Sequence, residues 1–139
     1  MKTFVAIVAL VVSFTFAAAA AEEPKVLELK IDAGTLGFSQ GKVDAPVVIG
    51  SIEDLEEVIA DKDLRRAILK QVDLKTRTLV YFAWSGSGQD SLKPRVEDRQ
   101  GGVVCSFTYK RGLKEDLRPH HRIFALPRDL KWEVRHARG

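Results

Sequence analysis

The chain has 139 residues, with 22 Lys and Arg against 19 Asp and Glu, a formal charge of +3, and one cysteine. Its basic residues lie among acids instead of forming a stripe or a clustered face, so no nucleic-acid partner is expected. A single cysteine cannot close an intramolecular disulfide, which leaves stability to the apolar core.

Met1 and Lys2 precede an almost wholly apolar run from Phe4 to Phe16, then a small-residue tract over 17–21. This is the order of a secretory signal peptide, with Ala19-Ala20-Ala21 matching the A-x-A pattern before Glu22. The apolar run is shorter than the roughly 18–20 residues that span a bilayer. No cysteine follows it to accept a lipid. The expected mature protein is one α+β domain, residues 22–139, secreted or periplasmic, with no membrane association after cleavage.

Leu27, Leu29 and Ile31 alternate within residues 26–31 and predict a first strand. Residues 34–44, rich in Gly and polar groups, predict a loop. Residues 46–49 predict a short strand, with Pro46 tolerated at its start or on an edge. Ser51 then predicts a helix N-cap, supported by Asp54 three residues on. Ile52, Leu55, Val58 and Ile59 make its apolar stripe, and Glu53, Asp54, Glu56 and Glu57 place negative charge at the positive end of the helix dipole. The phase shifts at Asp61-Lys62-Asp63, so one kinked helical segment or two abutting helices satisfy the pattern.

From Leu79 to Trp84 both alternating faces are apolar, which predicts a central strand buried on both sides. Residues 85–94 predict a loop. Residues 95–99 and 103–109 predict a hairpin around Gln100-Gly101-Gly102. Its second strand turns Val103, Cys105, Phe107 and Tyr109 inward and makes Cys105 a buried, inert thiol. Residues 110–119 predict a polar connection, and residues 121–126 and 130–135 two last strands. The fold class is α+β, a mostly antiparallel sheet with one helical segment, kinked or split, packed on a face.

The loop after the central strand is the leading candidate site. Trp84 supplies an aromatic anchor if partly exposed, Ser85, Gly86, Ser87 and Gly88 a small anion-accepting concavity of backbone N–H groups, and Gln89 and Asp90 hydrogen-bonding side chains. Gly86-Ser87-Gly88 is not the G-x-S-x-G of a nucleophile elbow, and no phosphate-binding glycine motif is complete. Arg118 and His120 belong to a second candidate, Arg118-Pro119-His120-His121-Arg122. Adjacent strand residues point to opposite faces, so His120 and His121 are not expected to share a metal. No metal ligand set, cofactor or catalytic residue is assigned.

The order from Ser51-Ile52-Glu53-Asp54-Leu55 through Val72-Asp73-Leu74, the apolar strand 79–83, the glycine-bearing loop 85–90 and Ala125-Leu126-Pro127 resembles PrcB-like domains. The resemblance covers residues 47–135 and implies a secreted or periplasmic accessory module linked with stabilising a protease complex. Ser87-Gly88-Gln89-Asp90 stands where that family carries a T-G-G-Y-like stretch, so no functional residue is carried over. The expected function is a small exported, non-catalytic binding domain engaging a protein partner through loops 85–94 and 110–121, with its oligomeric state open. The alternatives are a serine-type hydrolase pairing Ser85 or Ser87 with His120 or His121, and an extracellular protease inhibitor.

Overall fold

A computed structural model describes residues 24–138 as two β-sheets and two helices arranged in three layers. The expected signal peptide, residues 1–21, lies outside the described residues. The middle layer has the strand order β1-β6-β3-β2, formed by β1 (Leu27–Glu28), β6 (Arg118–Pro127), β3 (Arg77–Gly86) and β2 (Val47–Ile49), all antiparallel. On one face lie α1 (Ile52–Val58) and α2 (Lys62–Gln71). On the other lies a three-stranded sheet, β4 (Ser91–Arg99), β5 (Gly102–Lys110) and β7 (Lys131–His136).

Strand β3 separates two cores, as its doubly apolar pattern predicts. Leu79 and Tyr81 pack with Leu55, Ile59, Leu64 and Ile68 from the helical layer. Val80, Phe82 and Trp84 pack with Leu92, Cys105 and Phe107 from the second sheet. The rings of Phe82, Phe107 and Phe124 meet at centroid separations of 5.0–5.9 Å and join the two sheets. Cys105 is fully buried among them, and that burial pushes its thiol up to about 11.

The helical segment is split into two helices, the second of the two forms that the phase shift at Asp61-Lys62-Asp63 allows. Ser51 caps α1 by accepting the Asp54 N–H at 3.1 Å, as expected. Asp61 then starts a second helix by accepting the Leu64 N–H at 2.8 Å, and Ile59 between them is extended. The α1 end is closed by Arg65, whose guanidinium donates to the carbonyls of Ile59 and Ala60. A capping carboxylate and a carbonyl-binding cation thus replace the missing helical bonds.

Other boundaries shift for local reasons. The first strand shortens to two residues; past it Leu29 N–H still donates to the Ile123 carbonyl at 2.8 Å, and the Gln71 carboxamide binds both the N–H and the carbonyl of Lys30. The expected loop 85–94 contracts to a four-residue turn, 87–90. Ser85 and Gly86 continue β3 opposite Pro119 and Arg118, and Lys93 and Pro94 belong to β4 opposite Thr108 and Phe107. Pro94 is tolerated because β4 is an edge strand. The hairpin turn is as predicted, with Gly101 and Gly102 at φ +139° and +127°, a region that disfavours side chains. One pairing, β5 with β7, is parallel, because β6 crosses to the middle sheet between them and returns the chain in the same direction.

The outer face of the second sheet carries an ion network. Arg99 bridges Glu97 and Glu133, Arg135 donates to Glu133 at 2.6 Å, and the buried Ser106 hydroxyl donates to Glu133 at 2.9 Å. The Arg99 and Ser106 hydrogen bonds hold the Glu133 carboxyl down at about 2.

Candidate functional site

The β3–β4 turn (87–90) and the β5–β6 connection (111–117) lie side by side at one end of the sheets, and each binds a carboxylate of the other through its backbone. Gly88 N–H donates to Asp116 Oδ1 at 2.9 Å, and Gly112 N–H donates to Asp90 Oδ1 at 2.7 Å. Asp90 Oδ2 also accepts from Trp84 Nε1 at 3.1 Å and from the Tyr109 hydroxyl at 2.9 Å. Asp116 Oδ2 accepts from Arg118 Nε at 2.7 Å. The result is a reciprocal clasp between two loops distant in sequence.

Its electrostatics follow from those bonds. Burial alone would raise the Asp90 carboxyl, but the donors on Gly112, Tyr109 and Trp84 outweigh it and hold the group below its ordinary value. The Gly88 N–H, against some desolvation and with help from Arg118, lowers Asp116 as well. Burial and the neighbouring Asp90 push the Tyr109 hydroxyl up to about 12, so it stays a donor at neutral pH.

The anion-accepting concavity expected at Gly86–Ser87–Gly88 is therefore filled by the chain itself, through Asp116. Within the turn, Ser87 Oγ accepts from Gln89 N–H at 3.2 Å and the Ser87 carbonyl accepts from Asp90 N–H at 3.0 Å. The glycines serve close approach and not an unusual backbone conformation: Gly86, Gly88 and Gly112 all lack positive φ. A Cβ on Gly112 would lie 2.6 Å from the Gln89 backbone, and one on Gly88 would lie 2.7 Å from Asp116 Oδ2.

Trp84 is 4% exposed, so its ring is core and not a surface anchor. As an even-numbered β3 residue it faces the second sheet, stacked on His120 at 4.7 Å and edge-on to Tyr109 at 6.0 Å. His120 Nε2 donates to the Ser87 carbonyl at 2.7 Å and so ties β6 to the turn. Gly88, Gln89 and Arg118 are exposed, while Ser85, Gly86, Ser87, Asp90 and His120 are half-buried.

His121 faces the helical layer, opposite to His120, with Nδ1 accepting from the Tyr81 hydroxyl at 2.7 Å and Nε2 donating to the Gly37 carbonyl at 2.5 Å. Ser85 Oγ donates to the Ser39 carbonyl at 3.1 Å. Neither the Ser85 nor the Ser87 hydroxyl shares a hydrogen bond with a histidine ring, the pairing that a serine hydrolase would use; His120 reaches only the Ser87 carbonyl. Among the described residues no group of three or more His, Cys, Asp or Glu side chains is placed to hold a metal ion, and no helix is long and apolar enough to cross a membrane.

Beside the clasp the chain forms an open concavity of about 1320 Å³, lined by residues of the turn, the connection and the C-terminal segment. Leu113 and Leu117 on its rim are 94% and 68% exposed. Lys110, Arg111, Lys114 and Arg138 also line it and form no ion pair among the described residues. Of the three acids that line it, Asp90 and Asp116 are engaged internally and Glu115 is exposed. Sequence reasoning marked the connection as a contact loop but missed Tyr109, Gly112, Leu113, Asp116 and Leu117 individually. Two leucines in a seven-residue polar loop were the available signal.

Searches of family models, curated proteins and solved structures return no match to this chain.

Proposed function

We propose that this protein is a small exported, non-catalytic accessory domain that captures a protein partner through the clasped loops at the β3–β4 and β5–β6 end of its sheets. The observation that carries the reading is the exposed pair Leu113 and Leu117, held on a connection whose backbone is pinned by Asp90 and by the Gly88–Asp116 bond. Isolated surface leucines are ordinary, but two on a fixed loop beside a concavity with uncommitted cations form a recognition surface. Pinning reduces the ordering cost of association. The signal-peptide pattern at residues 1–21 and the resemblance to PrcB-like accessory domains support the same reading.

The test is capture of the partner from the native compartment by the mature protein and by the Leu113→Ser/Leu117→Ser variant. Burying a leucine contributes about 1.5–3 kcal/mol, so the double change should weaken capture by at least tenfold. Both side chains are exposed, so thermal stability should be unchanged. Undiminished capture by the folded variant would overturn the assignment of the surface.

A further inference from the structure

The two sheets have four edge strands, and three of them carry features that discourage pairing. β1 is two residues long. β4 carries Lys93, Pro94 and Arg95, and β7 carries Lys131, Glu133 and Arg135. β2, Val47-Val48-Ile49, has neither charge nor proline and pairs only with β3. Val47 and Val48 are 43% and 48% exposed. An uncovered apolar edge of this kind offers its unpaired N–H and C=O groups to another extended backbone.

A pocket of about 420 Å³ opens beside this edge. Phe38, 67% exposed, and Val47 stand at its sides, with Val58 from α1, and the Tyr81–His121 pair lines it as well. Ser39, Gln40, Tyr81 and His121 make its lining part polar, so hydrogen-bonding groups surround the space an apolar side chain would enter. The adjoining helix α1 bears Glu53, Glu56 and Glu57, all exposed and without ion pairs among the described residues.

We infer that the β2 edge is a strand-addition site for an extended segment of a different polypeptide, one that alternates apolar and basic residues. Main-chain hydrogen bonds to β2 supply affinity, an apolar side chain fills the pocket beside Phe38, and basic side chains meet the acids of α1. A second copy of this chain fits poorly. Antiparallel pairing of two β2 strands would bring two α1 helices to the same face of the joined sheet, acid against acid. The site is separate from the Leu113–Leu117 surface, so either assignment can fail without the other.

The experiment titrates a ten-residue peptide alternating Val and Lys, and its Val–Glu counterpart, into the mature protein while backbone amide shifts are read by NMR. The Val–Lys peptide should perturb Val47, Val48 and the Phe38 region and bind at least tenfold more tightly than the Val–Glu peptide. Val47→Lys, which gives β2 the kind of charge that β4 carries, should abolish binding with the melting temperature unchanged. Glu53→Lys/Glu56→Lys/Glu57→Lys should reverse the peptide preference. Binding that survives Val47→Lys, equal binding of both peptides, shifts confined to residues 87–90 and 111–117, or concentration-dependent dimerisation lost in Val47→Lys would each overturn the inference.

Discussion

Replacing Asp90 by Asn tests the clasp with almost no change of shape. In the native protein Oδ2 accepts from Trp84 Nε1 and the Tyr109 hydroxyl, and Oδ1 accepts from Gly112 N–H. An amide has one acceptor oxygen, so one of these positions becomes an NH2 group facing a donor. The less costly orientation keeps the oxygen toward Trp84 and Tyr109 and abandons Gly112. A hydrogen bond to a charged group contributes about 1.5–3 kcal/mol, and the two retained bonds weaken when their acceptor becomes neutral. Asp90→Asn should therefore cost about 2–4 kcal/mol at pH 7, a drop in melting temperature of roughly 8–16 °C for a domain of this size. Urea unfolding followed by Trp fluorescence measures it. The folded-state value of Asp90 lies below its ordinary 3.8, so its contribution is fully present above about pH 4 and is lost as pH falls through the folded value. The gap between the two proteins should stay constant from pH 5 to 8 and narrow below pH 4. A loss under about 0.5 kcal/mol, or a gap that widens in acid, would refute the reasoning.

Three further outcomes follow from the same structure. Gly112→Ala sets a methyl group 2.6 Å from the Gln89 backbone, and overpacking of this kind should cost about 1–3 kcal/mol; a neutral effect in thermal unfolding would show that the loops do not pack closely. The Cys105 thiol, buried and raised to about 11, should resist alkylation at pH 8 in the native state and react fully in urea; rapid native labelling would contradict its burial. Glu133, held at about 2 by Arg99 and Ser106, contributes stability that is present above its unfolded value near 4.5 and lost as pH falls toward 2. Glu133→Gln should flatten that part of the pH–stability curve, and an unchanged curve would show that the network is ineffective.

The parts of this fold that the sequence announces are those governed by local periodicity and local caps. β3 reads as doubly buried because its apolar residues fill both phases of a two-residue repeat, and Ser51 reads as a cap because its partner is three residues away. Asp61 carried the same local signal, but the acids around it also suited one continuous helix, so only the structure separates α1 from α2. The clasp was hidden for a different reason. Asp90 reaches Tyr109 and Gly112, and Gly88 reaches Asp116, across 19 to 28 residues of intervening chain. No periodicity encodes which loop lies beside which. Gly88 misled in the same way, because it leaves room for the side chains of Asp116 and Arg118, which the local sequence does not contain. Trp84 sits at the junction: its phase in β3 pointed inward, its position at the end of the apolar run pointed outward, and the phase prevailed.

The central claim is that the clasped loops form the partner-binding face, and site-specific photocrosslinking tests it most directly. A photoreactive phenylalanine analogue would be placed at Leu113 in one protein and at Arg66, on the exposed side of α2, in another. Irradiation in the native compartment should give one defined adduct from position 113 and none from position 66. No adduct from position 113, or the same adducts from both positions, would contradict the account.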